Sequence, residues 1–168
     1  MLILVRHAMP AFTPDVAPHE WELSDEGRER ARELMARLPA PAHLVSSAEP
    51  KAWQTVGGSA ARDGRFNEVG RDEPWGGDFR ERRLAYVSGA DHPGWEPRQE
   101  VAGRFDAGIR EHLEAAGGGP VVVATHGMAM TVWLAARIGL PDPGEFWSGL
   151  RFPDAHVVDL DAGVARRV

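Results

Sequence analysis

Apolar and polar positions along the chain sort into short unbroken apolar runs separated by amphipathic stretches. Leu2-Ile3-Leu4-Val5 is one such run, and Val121-Val122-Val123-Ala124 is another. Runs of four or five residues, rich in β-branched side chains, predict strands covered on both faces, the habit of a parallel sheet. Each run stops at a histidine: Arg6-His7-Ala8 follows the first and Thr125-His126-Gly127 the second. Open α/β sheets take their ligands beyond the carboxyl ends of the strands. If both strands are central, His7 and His126 face one pocket.

The stretches between these runs predict the remaining elements. Pro10 and Pro14 forbid an immediate helix, so His7 opens a loop. Ser24 is a good N-cap, Asp25 and Glu26 suit the positive end of a helix dipole, and Ala31, Leu34, Met35 and Leu38 mark one apolar face that Pro39 and Pro41 stop. A short strand is expected over about 43–45, and a second helix closes across the small residues from Gly57 to Gly64. Residues 65–69 read as an extended piece and 74–77 as a turn. Asp78 caps a helix to about Ser88, and another turn covers 91–95. A longer helix then carries Val101, Phe105, Ile109 and Leu113 and ends at Gly117-Gly118-Gly119-Pro120. Residues 128–138 form an apolar helix stopped by Gly139 and Pro141. A strand over 155–160 leads through 161–163 to a terminal strand pairing back. Strands alternating with helices predict an α/β fold, a three-layer α/β/α sandwich with a mostly parallel central sheet, as one domain over 1–168.

Composition narrows the chemistry. A hydrophobic share of 43% with 26% charged residues is ordinary for a globular protein. The net charge of −6 argues against a general nucleic-acid surface and leaves anion binding to a local basic pocket. No cysteine is present, which excludes disulfides, thiolate metal sites and cysteine nucleophiles. The apolar start is too short for a secretory or membrane segment, so a cytoplasmic protein with no membrane partner is expected.

Four segments carry a resemblance. They are Arg6-His7-Ala8, Leu23-Ser24-Asp25-Glu26-Gly27, Ser46-Ser47-Ala48-Glu49-Pro50-Lys51-Ala52-Trp53-Gln54-Thr55, and Thr125-His126-Gly127. In this order, three of them at strand ends, they resemble the histidine phosphatase superfamily, the phosphoglycerate-mutase-like enzymes, in its small Arg-His-Ala form. The resemblance implies that His7 attacks phosphorus and becomes a phosphohistidine, while Arg6, Lys51, His126 and Gly127 hold the phosphoryl group. Glu68 is the implied general acid, with Asp72 and Glu73 as alternatives. It also implies no metal and no cofactor, and a small phosphorylated substrate or a phosphohistidine protein. Hydrolysis is favoured over mutase-type transfer because the chain is short, and shortness also predicts a rather open pocket.

One position departs from the pattern: Lys51 stands where arginine is expected. Arginine offers a planar fork for two phosphate oxygens and lysine only a point charge with rotatable donors. The departure keeps open a catalytically weakened phosphate-binding or regulatory protein of the same fold. A metallohydrolase using His7 and His126 is disfavoured, since no His-x-x-x-His pattern completes a metal site. Arg80, Arg82 and Arg83 are expected to be solvated, and His19, His43, His92, His112 and His156 to be structural or exposed.

Overall fold

The first apolar run forms β1 (Leu2–Arg6), which lies inside the sheet between β4 (Val121–Thr125) and β5 (Asp154–Asp159). This is a computed structural model that describes residues 1–74 and 76–168; Trp75, and with it the centre of the turn expected over 74–77, lies outside the described residues. With β2 (His43–Ser46), β3 (Ala61–Arg62) and β6 (Val164–Arg167), the six strands take the order β3-β2-β4-β1-β5-β6. Neighbours pair in parallel from β3 through β1, while β5 is antiparallel to both β1 and β6. The expected mostly parallel sheet is therefore present, with β5 as its one reversed strand.

Alternation within β1 divides the core. Leu2 and Leu4 join Val121, Val123 and Val158 on one face, against α3 (Phe79–Val87), α4 (Arg98–Ala115), α5 (Gly127–Ile138) and α6 (Pro143–Ser148). Ile3 and Val5 join Val122, Ala124 and Ala155 on the other, under α1 (Asp25–Met35) and α2 (Pro50–Val56). Each fully buried branched side chain contributes about 1.5–3 kcal/mol, and both β1 and β4 bury residues on both faces. That is why the two runs lack the polar alternation of a half-exposed strand.

Helix ends follow local chemistry. Ser24 caps α1 by accepting the Gly27 N–H, and Gly27 is needed there because a Cβ would lie 2.1 Å from the Met9 carbonyl oxygen. α1 stops at Met35, ahead of the prolines expected to end it. Gly139 closes α5 in the left-handed region at φ 68°.

Three expectations are corrected. The chain from Gly57 to Gly64 holds β3, and residues 64–66 form a 3₁₀ turn instead of the start of an extended piece. Asp63 causes that turn by accepting the Arg65 N–H while its carboxylate is gripped by the Arg65 guanidinium. α6 was not anticipated; Asp142 caps it through the Glu145 N–H and Pro143 starts it. Its buried Trp147 packs close to Gly127. Among the described residues, no helix is long and apolar enough to cross a membrane.

Candidate active site

β1 and β4 lie side by side, with Arg6 opposite Thr125, so the residues that follow them leave the sheet together. The rings of His7 and His126 are 5.1 Å apart. His7 is 6% exposed and His126 is fully buried.

The hydrogen bonds fix the protons on the two rings. Nδ1 of His7 lies 2.8 Å from the Ala8 carbonyl oxygen. A carbonyl only accepts, so Nδ1 carries the proton and Nε2 of the neutral ring keeps a lone pair. Near His126, Asn67 Oδ1 accepts the Ala48 N–H at 2.9 Å and the Ser47 hydroxyl at 2.9 Å. With its one proton given away, Ser47 Oγ must accept from Nε2 of His126, 2.8 Å distant, as it does from the Glu49 N–H. Nδ1 of His126 is left buried with no hydrogen-bond partner among the described residues.

Both rings resist protonation. Burial pushes His7 well below the ordinary 6.5, helped by the nearby His126, Lys51 and Arg6 and opposed by the Ala8 carbonyl. Burial also lowers His126, with Lys51 adding to the effect and Glu68 opposing it. His7 is therefore an uncharged ring with an available lone pair at neutral pH.

Arg6 reaches the same pocket, with its guanidinium 3.6 Å above the Phe152 ring and Nη1 donating to the Leu150 carbonyl at 3.0 Å. Its Nε has no partner among the described residues. Burial lowers its pKa to about 10, opposed by Glu68 and Asp154, so it stays charged. Gly127 makes this approach possible, since a Cβ there would stand 3.2 Å from both Arg6 Nε and Trp147 Nε1.

Lys51 is 5% exposed, and Nζ donates to Glu49 Oε2 at 2.5 Å and to the Pro18 carbonyl at 2.6 Å. Through the second bond, and through its own amide on the Trp21 carbonyl, it ties the loop after β1 across the pocket. Glu49 did not emerge from the sequence. Its side chain is 8% exposed, and Oε1 accepts the Glu68 N–H at 2.8 Å and lies 3.6 Å from Nε2 of His126. The available signal was an acid two residues before the lysine that replaces arginine.

Glu68 sits over the first turn of α5. Oε1 accepts the Ala129 N–H at 2.9 Å and the Val69 N–H at 3.0 Å, and Oε2 is 3.4 Å from the Met128 nitrogen. The amides that follow Gly127 thus hold Glu68. Burial would raise its pKa, but His126, Arg71 and the Val69 amide together hold the carboxyl below the usual range. Of the alternatives, Asp72 is exposed. Glu73 is held by Arg71 at 2.9 Å, Arg83 at 2.7 Å and Arg82 at 3.7 Å. Those ion pairs replace the solvated state expected for Arg82 and Arg83, and Arg80 lies 5.7 Å from the Trp147 ring centre.

His19 lies exposed in the loop segment that Lys51 holds through the Pro18 carbonyl, while four other histidines have partners of their own. His43 bonds His112 at 2.9 Å, and His112 bonds Asp63 at 3.0 Å. His156 lies buried beside Asp154, and His92 bonds the Arg82 carbonyl. A shallow depression of about 500 Å³ between α4 and α5, lined by Gln99, Asp106, Trp133 and Arg137, contains none of the groups described above.

A family model described as histidine phosphatase superfamily (branch 1) matches residues 2–163. The fold is also similar to that of a mycobacterial glucosyl-3-phosphoglycerate phosphatase. Its complex with VO3 is 25% identical, with a TM-score of 0.66 over 93% of this chain and 92% of that one. Its complex with inorganic phosphate is 24% identical, with a TM-score of 0.70 over 99% and 94%. A protein of Thermus thermophilus is 25% identical, with a TM-score of 0.67 over 99% and 97%. No curated protein matches.

Proposed function

The chain belongs to the histidine phosphatase superfamily, and from that premise we propose that it hydrolyses small phosphomonoesters through a phosphohistidine formed on His7. The observation that carries the reading is the lone pair on Nε2 of His7, fixed by the Ala8 bond and set among Arg6, Lys51 and His126. A related mycobacterial phosphatase takes vanadate and inorganic phosphate, which supports a phosphoryl group as the ligand.

Phosphoryl transfer needs positioning and compensation of charge on the equatorial oxygens. Arg6 supplies the fixed guanidinium and Lys51 an ammonium, while Nδ1 of His126, a lone pair in the free site, becomes a donor only once the ring is protonated. Nε2 of His7 attacks phosphorus in line as the ester P–O bond breaks. Glu68, once protonated, gives its proton to the departing alkoxide; the resulting carboxylate then takes a proton from the water that attacks the phosphohistidine. Its lowered pKa in the free site is no obstacle, because an arriving phosphate dianion disfavours a second negative charge beside it.

The chain is proposed to act as a hydrolase, not a mutase, with no metal or cofactor and with water as acceptor. A panel of phosphorylated metabolites assayed with and without chelator tests this. The expected result is phosphate release that survives chelation and is lost in His7→Ala. Activity lost on chelation and restored by zinc would contradict it, as would quantitative transfer to a second hydroxyl.

A further inference from the structure

The phosphoryl pocket is already neutral before a substrate arrives. Arg6 and Lys51 bring two positive charges, Glu49 and Glu68 two negative ones, and His7 and His126 are uncharged. Two further cations face His126 from outside this set. Arg71 is committed to Glu73 at 2.9 Å and Arg104 to Glu96 at 2.7 Å. A phosphate dianion entering this space, with two carboxylates already buried, lacks a compensating charge. In this pocket Nδ1 of His126 is a buried basic atom without a partner among the described residues, 5.1 Å ring to ring from the nucleophile.

Glu49 makes that balance. Its one carboxylate bridges Lys51 through Oε2, fixes the Glu68 backbone through Oε1, and faces the Nε2 edge of His126 at 3.6 Å. We propose that Glu49 is a positioning residue of the phosphate site, balancing Lys51 and facing Nε2 of His126, so that binding a phosphate dianion takes up a proton onto Nδ1 of His126. The balance is simple: a solvent proton adds to the neutral ring, and the imidazolium donates Nδ1–H to a phosphoryl oxygen while Nε2–H stays on Ser47. Glu49 then stands as the counter-charge to the imidazolium. Nothing is broken, and the proton returns to solvent when phosphate leaves.

The inference rests on the phosphatase reading. Inorganic phosphate titrated calorimetrically into the full chain at about pH 8, in buffers of different ionisation enthalpy, counts the protons; about one per phosphate is expected. Phosphate inhibition should then weaken roughly tenfold per pH unit where phosphate is already a dianion. Glu49→Gln removes the charge and keeps the shape, so its uptake should fall by at least about half and its pH slope flatten. Glu49→Asp should retain the uptake. Binding without uptake overturns this proposal alone, as does full uptake in Glu49→Gln. Should Glu49→Gln fail to fold, Glu68→Gln decides: its proton uptake on phosphate binding persists if His126 takes the proton and vanishes if the Glu68 carboxyl does. Absence of phosphate binding overturns the phosphatase reading and this proposal with it.

Discussion

The ends of β1 and β4 look alike in sequence, an apolar run closed by a histidine, yet they present opposite ring nitrogens. His7 gives Nδ1–H to the backbone one residue ahead and keeps Nε2 free. His126 gives Nε2–H to a serine 79 residues away in sequence and keeps Nδ1 free. The first ring is held by its own loop and the second by a network reaching Asn67 and Glu49. A strand end thus supplies a histidine with a place, but its partner decides its chemistry. The self-contained ring suits a nucleophile. The networked ring suits a donor whose proton count responds to the charge around it.

The strongest way to separate the two roles goes through Glu68, which touches the helix beginning just after His126. Glu68→Gln should slow alkyl phosphate turnover by ~10²–10⁴-fold, the usual contribution of general acid catalysis. Aryl phosphates, whose leaving groups scarcely need a proton, should be slowed far less. Equal losses on both in steady-state assays would remove Glu68 from the role. Next in size is Lys51→Met, which strands the buried Glu49 carboxylate beside His126. Loss of one partner of a buried pair costs about 3–5 kcal/mol, to be read by denaturant unfolding and largely recovered in Lys51→Met with Glu49→Gln. A change under about 1 kcal/mol, the scale of an exposed pair, would mean that Lys51 is a solvated residue.

His126→Asn should be milder than loss of His7. It removes one charge-assisted donor, ~1.5–3 kcal/mol, or roughly 10- to 150-fold in kcat/KM. Phosphoenzyme should still form. A His126→Asn protein unable to form any would place the nucleophile on the wrong ring. The smallest effect lies behind Arg6, where Asp154 pairs with Arg167 at 2.9 Å. Burial opposes the Asp154 charge, but His156, Arg167 and the Arg151 amide outweigh it and lower the pKa from 3.8 to about 2. The stabilisation is therefore present above the unfolded value and lost as pH falls through the folded one. Arg167 is 38% exposed, so Arg167→Ala should cost only about 1 kcal/mol at neutral pH. In denaturant titrations that difference should close towards pH 2; a constant difference would show that packing, not charge, sets it.

What could be read in the sequence was what local pattern specifies. The runs at Leu2–Val5 and Val121–Ala124 need no partner to announce a buried strand, and Ser24 caps its helix with atoms three residues away. The turn over Gly64–Phe66 escaped because Asp63 acts through its own side-chain bonds, and α6 because six residues leave no periodicity to detect. In the pocket, Arg6, His7, Lys51, Glu68, His126 and Gly127 all lie within the set of contacts described above. Glu49 was hidden for a physical reason: its partners at positions 51, 68 and 126 meet only after three separate segments fold together. The tautomers were hidden likewise, since His126 depends on Ser47 and Asn67.

The central claim is that Nε2 of His7 is the atom that receives the phosphoryl group. Rapid mixing with a phosphorylated substrate, an alkaline quench, and mapping of the labelled peptide by mass spectrometry would name the residue, and phosphorus NMR of the trapped protein would name the ring nitrogen. Phosphate on Nε2 of His7, absent in His7→Ala, is the expected result. Label on His126, on Nδ1 of His7, or on a serine or aspartate would contradict it.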